Sequence, residues 1–252
     1  MRLILIILTS ILSLGSTLNA QVIGGQQDKL FDLYLLEKYE DCYFKAIKLT
    51  ENDKYRSDPE PYLYVAMCAL TFNDDVELKE AFGDPLKDAL KYAAKAKKYY
   101  AKMEKKSTPT FAMEDNLEFF DDLNRVALEE IIYHYNEDKY SKAASWGKKL
   151  SKVDPTNASI QVLVGANMLL SKNMEGLKLI DQYWPEIQET YKSGDEVPED
   201  ATKKALVYGI IGLSKYYSEA GDSFKAKEII QFGKDLFVDN MKIDHQYENL
   251  NP

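Results

Sequence analysis

The sequence is poor in the residues that bind metals or build disulfide frameworks. It has two cysteines, Cys42 and Cys68, and two histidines, His134 and His245, which lie far apart in the chain. Two cysteines are too few for a disulfide-built scaffold, and without nearby histidines they are too few for a structural zinc site. We therefore predict no metal site.

Sequence motifs of common catalytic sites are also absent. The chain has no glycine-rich phosphate loop, no Gly-x-Ser-x-Gly elbow and no His-Glu-x-x-His zinc helix. Adjacent acidic pairs such as Asp121-Asp122 point in different directions on a helix, so they do not form a carboxylate dyad. We predict that the chain is not an enzyme and requires no cofactor.

Long apolar runs occur only at the N-terminus. A positive start at Arg2 is followed by the apolar run Leu3 to Leu14 and by small or polar residues that end at Ala20. This order predicts a secretory signal peptide, residues 1–20, cleaved after Ala20; an uncleaved anchor is the alternative. No cysteine follows the run, so we expect no lipid anchor. The run is too short to span a bilayer comfortably, so we expect no transmembrane anchor. We predict an exported protein, periplasmic or peripheral to the outer membrane.

Positive charge is in the minority. The chain has 32 Lys+Arg against 41 Asp+Glu, which gives a formal net charge of −9. General nucleic-acid binding needs a basic footprint, so we predict no nucleic-acid partner.

What the sequence does contain is helical periodicity. From Asp28 onward apolar residues recur at three- and four-residue steps, and strand-like alternation is missing. Glycine and proline breaks predict an all-α chain of about eight or nine helices. The segment from Asn73 to Pro85 reads as an inserted loop, and residues 239–252 read as a polar C-terminal tail, either disordered or docked elsewhere.

One stretch carries a repeat motif. Tyr140, Ala143, Leu150 and Pro155 occupy the aromatic, alanine, apolar and proline positions of a helix pair, so this unit resembles the tetratricopeptide-repeat family. In the next unit, Gly165 stands where that family places a small residue so that two helices can touch. The resemblance implies a right-handed superhelical solenoid of about five degenerate helix-turn-helix pairs over residues 21–238. A helical bundle without repeat symmetry is the alternative.

This arrangement also places the cysteines. Cys42 lies in the second helix of the first pair and Cys68 in the first helix of the next, and consecutive helices of a solenoid pack side by side. Two interpretations stay open: the two cysteines form a disulfide, or each is a small unbridged core residue.

Two surfaces are candidates for binding a partner. A stripe of lysines runs along one predicted helix, and tyrosines lie on the first helices of two pairs, where this family tends to line its concave groove. The stripe is Lys87, Lys91, Lys95, Lys98 and Lys102, and the tyrosines are Tyr62, Tyr64, Tyr208 and Tyr216. Alternatively, the stripe is a solvated face or is neutralised by the acidic residues Glu114 to Asp122, and the tyrosines fill helix contacts.

Together these patterns predict a scaffold or adaptor that binds another protein in a cell-envelope complex. By resemblance, such proteins serve secretion, motility or outer-membrane assembly machinery. Two alternatives stay open: a helical protein that binds a small molecule or glycan, and a permanent structural subunit of an envelope complex.

Overall fold

The computed structural model describes residues 27–106, 111, 113–192 and 201–252. Within these ranges the chain is all-α, as predicted, with twelve α-helices, one 3-10 turn and no strand. The helices are α1 Asp28–Leu35, α2 Tyr39–Glu51, α3 Pro59–Asp74, α4 Val76–Phe82, α5 Pro85–Glu104, α6 Leu117–Asn136, α7 Tyr140–Leu150, α8 Ala158–Leu170, α9 Gly176–Thr190, α10 Ala201–Glu219, α11 Ser223–Leu236 and α12 Met241–Leu250, and the 3-10 turn is Met113–Asn116. The predicted signal peptide lies outside the described residues.

The described helices outnumber the eight or nine expected because short helices occupy segments that we read as irregular. The expected loop between Asn73 and Pro85 contains α4. Its first turn is capped by the Asp75 carboxylate, which accepts a hydrogen bond from the backbone N–H of Leu78 at 2.9 Å. Gly83 ends it with a φ of 77°, a conformation that glycine adopts without steric cost.

The main contacts join each helix to the next helix in the chain or to the next but one. α3 lies against both α2 and α5, and α8 lies against α7, α9 and α10. Every residue of α8 from Ser159 to Leu169 is buried, which explains why that helix shows no polar stripe. The outer helices α5 and α7 instead bury one face and expose the other.

The first five helices pack through aromatic rings. Phe72 of α3 is fully buried and stacks on Phe82 of α4 with ring centroids 4.3 Å apart. Tyr43 of α2 lies 5.4 Å from each of these two rings. Aromatic pairs at such distances contribute about 0.5–1.5 kcal/mol beyond the area they bury.

From α6 onward, glycines set the closest helix contacts. A Cβ atom added at Gly165 of α8 would lie 2.8 Å from Cδ1 of Ile180, and one added at Gly176 of α9 would lie 2.6 Å from the Gly165 carbonyl oxygen. The close approach that we expected at Gly165 is therefore present. In the same way, a Cβ atom added at Gly147 of α7 would lie 2.7 Å from Cγ2 of Val164 in α8.

The two cysteines lie in the core where α2 meets α3. Both are fully buried free thiols, and the Cys42 thiol donates a hydrogen bond to the Leu30 carbonyl oxygen at 3.5 Å. Burial, followed by a hydrogen bond and charge interaction with Cys42, raises the pKa of the Cys68 thiol well above its usual value. The predicted neighbourhood of the two residues is present, and they are not bridged.

The segment that we set apart as a polar tail forms α12 and packs on α10 and α11. Ile243 is fully buried, and the Asn240 side chain accepts hydrogen bonds from the backbone N–H groups of Lys242 and Ile243. The Lys234 amine pairs with the Asp244 carboxylate at 2.8 Å. One buried apolar residue, the partly buried Tyr247 and Leu250, a helix cap and an ion pair thus dock a largely polar sequence.

A candidate cationic groove between two helices

The lysine stripe follows from the way α5 is built. The Asp84 carboxylate caps the helix by accepting a hydrogen bond from the Lys87 backbone N–H at 3.2 Å, and Pro85 occupies its first turn. The face that packs on α3 holds small and apolar residues, including Ala89, Ala93 and Ala96. The lysines of the sequence stripe are consequently left on the outer side of the helix.

The facing wall is supplied by α7 and the turn after it. The buried face of α7 includes Ala143, Gly147 and Leu150, and the close contact of Gly147 with Val164 holds α7 against α8. This orientation leaves Lys149 and Lys152 toward α5.

Between these two walls lies a groove of about 440 Å³, which we call the lysine groove. Six lysines line it, and its apolar floor consists of the half-buried Ala94 and, beneath the surface, the fully buried Leu90. The lysines are Lys87, Lys91, Lys95 and Lys98 from α5 and Lys149 and Lys152 from α7 and its following turn. Four of the five stripe lysines therefore belong to one concave site, whereas Lys102 lies beyond it, with its amine 5.6 Å from the centre of the Tyr99 ring.

Few of these amines have a carboxylate partner. In the described part of the chain, the only ion pair among the six joins Lys91 to Asp88 at 3.5 Å, with the Lys91 side chain exposed and the Asp88 side chain half-buried. The amines of Lys91 and Lys95 lie 4.6 Å and 5.1 Å from the centre of the Tyr92 ring. Cation–π contacts of this kind orient a cation without cancelling its charge.

Lys149 shows the electrostatic consequence of the crowding. Its amine lies 4.6 Å from the centre of the Trp146 ring and donates to the Ser145 hydroxyl at 3.2 Å. Partial burial lowers the pKa of this amine, and repulsion from Lys87 and then Lys152 adds to the effect, while the Asp84 carboxylate opposes it. An anion in the groove would relieve this repulsion.

The neighbouring acidic stretch does not neutralise the groove. Its residue Asp122 pairs with Arg125 of the same helix at 3.2 Å. Among the residues that the structure describes, no ion pair connects Glu114, Asp115, Glu118, Asp121 or Asp122 with a lysine of the groove. The neutralisation that we weighed from the sequence is therefore not observed.

The tyrosines expected to line a binding surface lie mostly in the core. Tyr64 has no exposed area, Tyr62 is 3% exposed and Tyr208 is 6% exposed. Tyr216 is half-buried. The reason is that α3 and α10 are covered by helices on more than one side, so Tyr62, Tyr64 and most of the Tyr208 ring fill helix contacts.

A second cavity lies where α6, α10 and α12 meet. Its volume is about 460 Å³, and its lining combines aromatic rings with polar groups of α12. The Tyr135 and Tyr208 rings meet edge to face at 5.4 Å, and the Lys242 amine lies 5.4 Å from the centre of the Tyr208 ring. Sequence reasoning missed this cavity because α12 was not expected to pack on the body.

The wall formed by Lys149 and Lys152 was also missed. The basic cluster after Trp146 is visible in the sequence, yet nothing local shows that it faces α5. Its position depends on the packing of α7 on α8, which is a contact between helices.

In the described residues, no group of three or more histidine, cysteine, aspartate or glutamate side chains is arranged to hold a metal ion. None of the helices in the same residues has the length and apolar character needed to cross a membrane.

Comparison of the chain with protein-family models, with curated proteins and with solved structures gives no match.

Proposed function

We propose that this protein is an exported scaffold or adaptor that binds a negatively charged region of another protein in a cell-envelope complex. The observation that carries the proposal is the lysine groove, in which six lysines surround an apolar floor on a chain of net charge −9. Candidate settings are secretion, motility or outer-membrane assembly machinery, with the protein periplasmic or peripheral to the outer membrane.

The groove supports a binding role because clustered like charges repel one another and destabilise the surface that holds them. A cationic concavity focuses electrostatic potential and attracts a partner of opposite charge. The apolar floor of Leu90 and Ala94 adds a contact that a plain solvated face lacks.

We further propose that the helices form pairs of the tetratricopeptide type, stacked as a right-handed superhelical solenoid. The packing of α6 on α7 and of α8 on α9, and the glycine contact between Gly165 and α9, support this arrangement. Such a framework holds α5 and α7 at a fixed separation, and a rigid site binds with a smaller entropy cost.

The test is capture of partners by the tagged mature protein from its own envelope fraction, after crosslinking in intact cells. The groove variant carries Lys91→Glu, Lys95→Glu and Lys98→Glu. The matched control carries the same charge reversal at three exposed lysines outside the groove, Lys48, Lys79 and Lys227. We expect one or a few envelope proteins in fixed ratio with the wild type and the control, and their loss with the groove variant.

If the groove variant still captures the same partners, the binding site lies elsewhere on the surface. If the wild-type protein is recovered alone, the scaffold proposal is contradicted. The second cavity favours a different candidate function in that case, namely binding of a small molecule or glycan between α6, α10 and α12. A ligand screen by thermal shift, with His245→Ala as the comparison, tests that candidate.

A further inference from the structure

The lysine groove has a geometry that restricts what can fill it. Lys87, Lys91 and Lys95 recur every four residues on α5. The Cα atoms of consecutive lysines in this set are therefore about 6 Å apart along the helix axis. Carboxylates match this interval when they occur at every fourth residue of a helix, or at every second residue of an extended chain, where the repeat is about 6.6–6.8 Å. A peptide with regularly spaced acidic residues therefore matches the α5 wall.

The floor of the groove favours a peptide over other polyanions. Leu90 and Ala94 line the groove together with the lysines of α5 and with Lys149 and Lys152. A polyphosphate or an acidic polysaccharide has no apolar side chain to place on this floor. A flat anionic bilayer would meet the amines at the rim but not the bottom of a concave site between two helices.

Building on the proposed function, we infer that the lysine groove binds an acidic peptide segment in which an apolar residue is flanked by carboxylates. The apolar side chain lies on the half-buried Ala94, above the fully buried Leu90, and the carboxylates pair with the lysines of the two walls. The lysines give attraction and orientation, and the apolar contact distinguishes this segment from a simple polyanion.

The test uses fluorescein-labelled peptides and the full mature chain, with binding measured by fluorescence anisotropy. The probe is a peptide of repeating Glu-Leu, and its matched control is a peptide of repeating Glu-Ser with the same length and charge. We expect the Glu-Leu peptide to bind at least about tenfold more tightly, because burial of one leucine side chain contributes more than the 1.4 kcal/mol that corresponds to tenfold. Binding should weaken as salt is added.

Variants then assign the contacts to the groove. Ala94→Glu places a carboxylate at the half-buried floor, and we expect it to reduce binding of the Glu-Leu peptide by at least about tenfold, because a like charge faces the ligand. Lys149→Glu with Lys152→Glu should do the same from the opposite wall, and Lys48→Glu with Lys79→Glu should leave binding unchanged. Circular dichroism checks that each variant keeps its helices.

Competition decides between peptide and other anions. Equal affinity for the two peptides, or tighter binding of polyphosphate or of phosphatidylglycerol vesicles than of the Glu-Leu peptide, would overturn the inference. If partner capture depends on the groove but the Glu-Leu peptide does not bind, the proposed function stands and the peptide chemistry inferred here is wrong. If the Glu-Leu peptide binds in the groove but no envelope protein is captured, the peptide chemistry is correct and the adaptor role fails.

Discussion

The N-terminal region, α1 to α5, and the C-terminal region, α6 to α12, bring their helices together in different ways. In the first, aromatic rings such as Phe72, Phe82 and Tyr43 fill the space between helices. In the second, Gly165 and Gly176 remove side chains so that backbones approach. The N-terminal region should therefore be sensitive to the loss of atoms and the C-terminal region to their addition.

The lysine groove lies where the two regions meet. Its longer wall is α5, the last helix of the aromatic region, and its shorter wall belongs to α7, which is held by a glycine contact. The width of the groove consequently depends on both kinds of packing, and damage to either region should reach the binding surface.

The largest effect is expected for Phe72→Ala. Removing a fully buried ring that stacks at 4.3 Å on Phe82 leaves a cavity and should lower the free energy of unfolding by about 4 kcal/mol. Chemical denaturation monitored by circular dichroism measures this change. Phe224→Ala removes the same atoms at a site that is 83% exposed, and it should change stability by less than about 0.5 kcal/mol.

Gly176→Ala should destabilise the protein by about 2–3 kcal/mol, because the new methyl group would lie 2.6 Å from the Gly165 carbonyl oxygen. Gly212→Ala is the matched comparison. Its added Cβ would lie no closer than 3.3 Å to a neighbour, and alanine gains about 1 kcal/mol of helix propensity, so the net change should be within about 1 kcal/mol of zero. Similar losses at both positions would contradict the proposed role of close backbone contact.

A smaller effect is expected at the start of α12. Asn240→Ala removes the side chain that caps this helix and should cost about 1 kcal/mol. Because α12 is the last helix of the chain, the loss should appear first as faster amide hydrogen exchange in residues 241–250. Uniform acceleration over the whole chain would show instead that α12 unfolds only with the body.

The smallest effect is a pH dependence of peptide binding. The lowered pKa of Lys149 means that this amine loses its proton at a lower pH than an ordinary lysine amine, and the loss weakens attraction for a carboxylate. As pH rises toward the ordinary lysine pKa of about 10.4, wild-type affinity for the Glu-Leu peptide should fall more than that of Lys149→Gln, by less than about fivefold, because an exposed ion pair contributes at most about 1 kcal/mol. If the wild type and Lys149→Gln showed the same pH dependence of peptide affinity, Lys149 would not contact the peptide.

In the unbound protein, the lowered pKa of Lys149 affects folding stability in the direction opposite to its effect on peptide binding. The folded state disfavours the charged form of Lys149, so the contribution of this residue to stability increases as pH rises through its lowered pKa. The stability difference between the wild type and Lys149→Gln should thus rise with pH while the difference in peptide affinity falls, and comparing the two separates loss of binding from loss of fold.

Much of the helical structure could be predicted because its signals are local. The three- and four-residue recurrence of apolar residues predicted the all-α class, and the alanines of α5 identified its buried face. The missed helix α4 is only seven residues long and buries none of them, so it offers little periodicity. The helix α12 was missed because a single buried residue, Ile243, anchors it.

Only one of the two walls of the lysine groove could be predicted from the sequence. The amino-acid sequence by itself determined that one helix carries four groove lysines in a row, because residues three and four apart share a helix face. Tertiary structure decided that Lys149 and Lys152 face them, and that Tyr62, Tyr64 and Tyr208 are covered. The physical reason is that periodicity fixes which residues share a face, whereas what lies opposite that face depends on packing between segments far apart in the chain.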